Sequence, residues 1–213
     1  TTPDPGLVRP VGPSTPTFAT QMVGSLGCRE SRLVEVVETP RQSAQYSEPV
    51  DNSFDDLLAA NSRYATSAPR GFDGYAHAGV AVVTCMDSRL QPLEMIGLFL
   101  GEAKILRTPG GHVTPDALAG CVLGVNLLQV NRILVITHSR CAMASGDDEE
   151  MRRRVAAASG ADTSGYSFGA DPDQFGRLRA DVAVLTEHPL IAGHAKVGGF
   201  HYDVDSGLLT QVC

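Results

Sequence analysis

Three apolar runs rich in β-branched residues lie in the middle of the chain and constrain its fold most strongly. They are GVAVVTC at 79–85, AKILRT at 103–108 and RILVITH at 132–138. Continuous apolar runs separated by helical segments are typical of parallel strands covered on both faces, and the connections are long enough for right-handed β-α-β crossovers. The chain is therefore predicted to be an α/β protein with a parallel-core sheet flanked by helices.

Helices and a final hairpin complete this prediction. An N-cap at Asn52 and Ser53, followed by acidic residues, predicts a helix over 53–65. Four later helices are predicted from QPLEMIGLFL, TPDALAGCVLGVNLLQV, DDEEMRRRVAAA and DPDQFGRLRADVAVLTEH. The segment GGFHYDVDSGLLTQV predicts a C-terminal β-hairpin that turns at Asp205-Ser206-Gly207.

Proline content divides the chain into two parts. Residues 1–50 contain prolines throughout and form a predicted N-terminal extension, in which only LVEVVE at 33–38 is predicted to form a helical turn or a docking strand. Residues 51–213 form the predicted α/β domain.

Composition excludes several classes of function. The net charge of −7 comes without a basic patch interleaved with aromatics, so nucleic acid is not an expected partner. No apolar run approaches the roughly 18 residues of a membrane helix, and TFATQMVGSLGC lacks the features of a signal peptide, so we expect a cytoplasmic protein that does not span a membrane. Five irregularly placed cysteines are typical of metal binding or free thiols rather than of a disulfide framework.

Polar side chains with metal-binding chemistry follow the first and third apolar runs. VTCMDSR places Cys85, Asp87 and Arg89 on alternate residues, and THSRC supplies His138 and Cys141. Carboxyl ends of neighbouring parallel strands meet at one edge of a sheet, so the two thiols and the imidazole can converge on one ion. Two thiolates and one imidazole suit zinc and leave a fourth tetrahedral position for water.

The carboxylate and guanidinium of the first motif have a predicted role beside that metal. Asp87 can accept a hydrogen bond from zinc-bound hydroxide, and Arg89 can neutralise and orient the carboxylate. Without Arg89, the Asp87 side chain could move onto the metal and close the site.

The CxDxR motif followed about fifty residues later by HxxC resembles the β-class carbonic anhydrases, in particular their smaller, archaeal-like branch. The similarity extends over about 53–212, since RTPGGHVTPDAL and GGFHYDVDSGLL also resemble family segments. The resemblance implies reversible hydration of CO2 to bicarbonate and a proton, with one zinc ion per subunit. It further implies Cys85, His138 and Cys141 as zinc ligands, Asp87 and Arg89 as catalytic residues, and a homodimer or higher homo-oligomer with exchanged N-terminal helices.

The chain departs from the family pattern at three places. Ala142 follows the second cysteine where the family usually has glycine, and a left-handed backbone there would be costly for alanine. Arg140 adds a positive charge between two ligands, and we expect it to influence ionisation near the metal. Thr108-Pro109 precedes the glycines of RTPGGH, and we expect this pair to reshape the mouth of the pocket.

Two other functions remain open at this stage. One keeps the scaffold and the metal but hydrolyses carbonyl sulfide or carbon disulfide. The other is a non-catalytic, zinc-stabilised interaction module in which Asp87 closes the site. His112, in the loop after the second strand, is interpreted as an ordinary loop residue in preference to a proton relay.

Overall fold

The structure is a computed structural model that describes residues 53–213. Among the described residues, 53–62 belong to one unit and 63–213 form another. The predicted extension at 1–50, with its LVEVVE segment, lies outside the described residues.

A single five-stranded sheet organises the second unit. Its strands are β1 (Val80–Cys85), β2 (Ala103–Thr108), β3 (Arg132–His138), β4 (Lys196–Tyr202) and β5 (Leu209–Gln211). The spatial order is β2-β1-β3-β4-β5, with the first four strands parallel to their neighbours and β5 antiparallel to β4. The prediction of an α/β fold with a parallel-core sheet is confirmed, as is the adjacency of the first and third strands.

The apolar runs form the two central strands because both of their faces are covered. All six residues of β1 are buried, and four consecutive residues at the end of β3 are buried as well. On one face, Val83 and Val135 belong to a core cluster with Leu178 and Leu185. On the other face, Val82 and Ile136 form a second cluster.

Residues 53–213 contain four α-helices. They are α1 (Asp55–Ala65), α2 (Pro115–Leu127), α3 (Asp148–Ser159) and α4 (Gln174–Glu187). Thr114, Asp147 and Asp173 cap the last three helices, each accepting a hydrogen bond from a main-chain N–H of the first turn. Within residues 53–213, none of the helices combines the length and the hydropathy of a transmembrane segment.

The predicted helix over QPLEMIGLFL is wrong. This connection between β1 and β2 contains only one 3-10 turn, Glu94–Ile96, which ends at Gly97 with φ of 68°. Gly101 also has a positive φ, 89°, so two left-handed glycines interrupt the segment and the apolar residues cannot extend a regular helix. Phe99 and Leu100 remain largely exposed as a result.

The C-terminal hairpin forms as predicted, with one addition. β4 and β5 pair with Tyr202 opposite Leu209, and Asp203 accepts hydrogen bonds from the N–H groups of Asp205 and Ser206 in the turn. β4 begins two residues before the predicted segment and pairs in parallel with β3 as well. The hairpin is therefore an integral part of the sheet that carries the site.

Candidate metal centre and active site

Two strand ends and the turn that follows bring three metal-binding side chains together. Cys85 is the last residue of β1, His138 is the last residue of β3, and Cys141 follows in the next turn. Their ligand atoms all lie within 4.8 Å of one another, and the two sulfur atoms are 4.0 Å apart. All three residues are buried, with exposed fractions of 4%, 0% and 5%.

Hydrogen bonding orients the imidazole of His138 towards a metal. Its Nδ1 lies 2.9 Å from the main-chain oxygen of Ser139, an acceptor, so Nδ1 carries the proton and Nε2 keeps a lone pair. Nε2 is buried without a hydrogen-bond partner. A buried nitrogen without a partner is costly in a folded protein, and a divalent cation would satisfy it. The residues present therefore fit a metal ion.

The two thiols of the site readily hold one negative charge between them, whereas ionisation of both is unfavourable. A hydrogen bond from Cys141 lowers the pKa of Cys85, and the neighbouring sulfur together with burial raises the pKa of Cys141. Both can be thiolates only when a positive charge compensates them. Cys121 provides a contrast, because burial alone raises the pKa of this thiol to about 12, as befits a core residue.

Arg89 binds the Asp87 carboxylate next to the three candidate metal ligands. The main-chain N–H and Nε of Arg89 donate to Asp87 Oδ1 at 3.0 and 2.9 Å, and Nη2 donates to Oδ2 at 2.7 Å. These bonds hold the pKa of Asp87 well below its usual range. Asp87 Oδ2 also lies 3.8 Å from His138 Nε2. A permanently ionised acceptor therefore borders the candidate metal position.

Arg107 is a residue of this site that sequence reasoning missed. It lies near the end of β2, in register with Thr84 on β1. Its Nε donates to the main-chain oxygen of Cys85 at 3.0 Å, and its Nη2 donates to that of Asp87. Because both acceptors are main-chain oxygens, the residue types at 85 and 87 give no sequence signal for this contact. The available signal is a basic residue near the end of the neighbouring strand.

The predicted strain at Ala142 is wrong, because Arg140 is the residue that adopts the left-handed conformation, with φ of 55°. Ala142 begins a 3-10 turn, Ala142–Ala144. The main-chain oxygen of Arg140 accepts a hydrogen bond from Arg89 Nη2 at 3.2 Å. The left-handed residue therefore turns its carbonyl towards the guanidinium that holds Asp87.

The side chain of Arg140 is engaged away from the donors. Its guanidinium pairs with Asp205 of the hairpin turn, and both side chains are largely exposed. The Asp205 carboxylate compensates the positive charge of Arg140, which stands between two candidate ligands in the sequence. Arg140 therefore acts on the site chiefly through its backbone.

A cavity of about 260 Å³ adjoins the metal-binding residues. It is lined by Cys85, Asp87 and Cys141 on one side and by a mostly apolar wall elsewhere. That wall consists of Met86, Pro109, Ala142 and Met143. Pro109, one of the two residues expected to reshape the mouth, is part of this lining, and the lining leaves room for a small, uncharged substrate.

His112 does not line this cavity. The side chain is buried, and its Nδ1 lies 3.4 Å from Oδ2 of Asp181 on α4. It packs beneath the Gly110–Gly111 turn, where a Cβ on Gly110 would lie 2.4 Å from His112 Nε2. His112 is therefore part of a buried contact between the β2 loop and α4, away from the cavity that a proton relay would border.

The fold and the donor set together define a class of protein, an α/β enzyme with a metal-binding site at the carboxyl edge of a parallel sheet. Residues 80–159 match the family described as carbonic anhydrase. The chain is 31% identical to a crystallised carbonic anhydrase from Streptococcus mutans, with a TM-score of 0.69 over 78% of this chain and 100% of that one. The chain belongs to the β-class carbonic anhydrases, as its sequence motifs predicted.

Curated relatives agree with this assignment. Beta-carbonic anhydrase 1 of Mycobacterium tuberculosis is 29% identical over 158 residues, which cover 74% of this chain and 96% of the relative. A carbon disulfide hydrolase of Acidithiobacillus thiooxidans is 27% identical over 173 residues, covering 70% of this chain and 79% of the relative. Placement in the archaeal-like branch stays a prediction.

Proposed function

We propose that the chain is a zinc-dependent carbonic anhydrase, which interconverts CO2 and water with bicarbonate and a proton. The observation that carries this function is the convergence of Cys85, His138 and Cys141 beside the ionised Asp87, in a chain of the carbonic anhydrase family. The proposed enzyme is a lyase, and CO2 and bicarbonate are its small-molecule substrates.

Each residue of the site has a defined part in this reaction. Cys85, His138 and Cys141 would hold one zinc ion per subunit, which supplies Lewis-acid activation of water near neutral pH. Asp87 accepts a hydrogen bond from the attacking oxygen and so directs its lone pair towards the carbon of CO2. Arg89 keeps Asp87 ionised and in place through its two side-chain hydrogen bonds.

The cavity wall contributes by its apolar character. CO2 is linear and uncharged, so it enters a pocket lined by Met86 and Met143 with little loss of hydration. Bicarbonate is charged and leaves such a pocket for water. Asp87 also repels an incoming anion unless that anion presents a hydroxyl group to the carboxylate, which bicarbonate does.

Zinc quantification combined with stopped-flow CO2 hydration tests this function. The native chain should contain about one zinc per subunit and hydrate CO2 between pH 7 and 9, and Cys141→Ala should lose both properties because two donors hold zinc poorly. The matched control is Cys121→Ala, which removes a buried thiol of the core outside the site and should keep both.

A zinc-loaded native chain without CO2 hydration would contradict the proposal. Azide binding then identifies the reason: the non-catalytic interaction module has a closed metal site that does not take up azide. An open site that binds azide without hydrating CO2 indicates a different substrate.

Hydrolysis of carbonyl sulfide or carbon disulfide is the second candidate function. It is favoured by the methionine-lined wall, because polarisable sulfur atoms contact a sulfur-bearing substrate well. Relatives named carbon disulfide hydrolase add support. Comparing kcat/KM for CO2, carbonyl sulfide and carbon disulfide on one zinc-loaded preparation separates the two functions.

The chain is further proposed to form a homodimer through α1. Phe54, Leu57, Leu58 and Tyr64 are more than half exposed, and α1 has no buried residue in the single chain. An apolar surface of this kind suits a second copy. Light scattering should report at least a dimer, and Leu57→Glu with Leu58→Glu should yield monomers; a native monomer would contradict the assembly.

A cytoplasmic location completes the proposal. The cysteines at 85, 121, 141 and 213 are free, and no disulfide occurs among the described residues. Free thiols persist in reducing compartments. Fractionation of cells expressing the native chain tests this location, and recovery in an extracytoplasmic fraction would contradict it.

A further inference from the structure

A second concave site lies at the amino-terminal ends of the parallel strands, at the opposite end of the sheet from Cys85, His138 and Cys141. Arg132 begins β3 and Lys196 begins β4, so both stand at the amino ends of parallel strands whose carboxyl ends lead to the candidate active site. A cleft of about 500 Å³ opens there. Its lining consists of Asn131, Arg132, Gly193, His194, Ala195 and Lys196.

The charges in this cleft are unbalanced. Arg132 and Lys196 are register partners on neighbouring strands, an arrangement in which like charges repel. The chain has 24 acidic against 17 basic residues, but no carboxylate lines the cleft. Among residues 53–213, neither cation forms an ion pair, and neither does His194. Repulsion retained without compensation indicates a use for the positive charge.

The charged donors of the cleft are side chains. The main-chain N–H groups of Lys196 and His194 already donate to Asn131 and Ile191. Arg132 Nη2 donates to the main-chain oxygen of Ala78 at 2.8 Å, which anchors the guanidinium and leaves its other N–H groups for a ligand. The cleft thus offers an anchored planar cation, a mobile point charge and an imidazole.

We propose that this cleft binds a phosphate group. A guanidinium and an ammonium on one side of a doubly charged oxyanion supply both directed hydrogen bonds and charge. No aromatic side chain lines the cleft, so a nucleobase would have no stacking partner. The volume exceeds that of free phosphate and falls in the range of small-molecule sites, which suits a phosphate monoester or a short polyphosphate as well.

Isothermal titration of the full-length, zinc-loaded chain tests the proposal with inorganic phosphate, pyrophosphate and glycerol 3-phosphate as probes. We expect one saturable site for at least one probe. Equal affinity for phosphate and glycerol 3-phosphate indicates recognition of a terminal phosphate, whereas preference for pyrophosphate indicates a polyphosphate ligand. Absence of saturable binding by all three overturns the proposal.

Two substitutions locate the binding. Lys196→Gln should weaken it about tenfold or more, equivalent to about 1.4 kcal/mol, and Lys196→Arg should retain it. Arg179→Gln removes one exposed positive charge from α4 and is the matched control, with unchanged binding expected. Equal weakening of phosphate binding by Lys196→Gln and Arg179→Gln would show that binding depends only on net charge, and it would overturn the proposed site.

Stability and zinc content distinguish this site from the metal centre. Lys196→Gln should keep its zinc and its CO2 hydration, so that lost phosphate binding cannot be attributed to the metal. The thermal midpoint of the unliganded Lys196→Gln chain should equal or exceed that of the native chain, because the repulsion with Arg132 is removed. A lower midpoint together with lost binding in both Lys196→Gln and Lys196→Arg would overturn the proposal, since Lys196 would then be structural.

Discussion

Arg107 on β2 donates a hydrogen bond from its Nε to the main-chain oxygen of Cys85 on β1, over 3.0 Å. Its second donor, Nη2, reaches the main-chain oxygen of Asp87. One side chain from the edge strand thereby holds the backbone on both sides of Met86. The geometry of a candidate metal ligand and of the neighbouring carboxylate thus depends on a residue whose hydrogen bonds to both are made to main-chain oxygens.

Loss of the two hydrogen bonds from Arg107 should weaken metal binding at the site. Arg107→Gln removes the paired donors, and groups that orient metal ligands typically contribute about 10- to 100-fold to affinity or activity. We expect a decrease of that size in zinc affinity, measured by chelator competition, and in CO2 hydration. Arg179→Gln serves as the charge-matched control, and a zinc affinity of Arg107→Gln equal to that of the control would contradict the positioning role.

Arg89 should matter for turnover rather than for zinc retention. Its guanidinium binds Asp87 through two side-chain hydrogen bonds and contacts none of the three donors in that arrangement. Arg89→Gln should lower kcat/KM for CO2 by about 100-fold or more, since the carboxylate loses its orientation, while zinc content stays near one per subunit. Arg140→Gln is the neighbouring control, because its guanidinium pairs with Asp205. Comparable turnover in the two variants would refute the assignment.

Gly111 should tolerate no side chain. Its φ is +75°, and a Cβ there would lie 2.8 Å from the main-chain oxygen of Ile136 and 3.1 Å from the nitrogen of Cys85. Gly97 has a similar φ of +68° but open space around it. Gly97→Ala should cost about 1 kcal/mol for the left-handed backbone, and Gly111→Ala about 2 kcal/mol more for the clash. Denaturant unfolding of both variants measures the difference, and equal costs would show that the backbone can yield.

The buried Asp181 should make stability depend on pH. Burial opposes its ionisation, but the nearby His112 ring and the hydrogen bond from Arg177 outweigh that effect, so the pKa of Asp181 lies below its usual range. A lowered pKa stabilises the fold above the unfolded value of about 3.9, and this contribution disappears as the pH falls through the folded value. Asp181→Asn should therefore lose about 1 to 3 kcal/mol at pH 7 and approach the native stability below about pH 4.

A matched control distinguishes this effect from the general loss of a carboxylate. Asp205→Asn removes an exposed partner of Arg140 and should change stability by less than about 1 kcal/mol. Urea unfolding at several pH values measures both variants. The gap between Asp181→Asn and the native chain should stay nearly constant from pH 7 to about pH 4 and close below it, so a gap that persists down to about pH 2 would disprove the linkage.

The sheet and the convergence of Cys85, His138 and Cys141 could be predicted from the sequence because both follow from local patterns. Buried strands have uninterrupted β-branched runs, and Cys85 and His138 each stand at the end of one, at the edge where parallel strands place ligands. The predicted helix over QPLEMIGLFL was wrong because its apolar spacing is compatible with a helix, whereas the left-handed conformations of Gly97 and Gly101 that interrupt it leave no mark in that spacing.

Other features of the site could not be predicted from local patterns. Arg107 acts on backbone atoms, and His112 meets Asp181 across 69 residues of chain. Arg132 and Lys196 become neighbours only through the pairing of β3 with β4. The left-handed backbone lies at Arg140, whose carbonyl accepts a hydrogen bond from Arg89, and this contact joins segments that follow two different strands.

The strand order has a kinetic consequence for the metal-binding trio. Cys85 and His138 become neighbours only when β1 pairs with β3 at the centre of the sheet, which requires closure of a segment that includes β2 and α2. Closing a long segment costs chain entropy before its contacts form, so this pairing belongs to the slower, non-local part of the search. During refolding, high-affinity uptake of metal should therefore report assembly of the sheet centre and lag behind the appearance of helical signal.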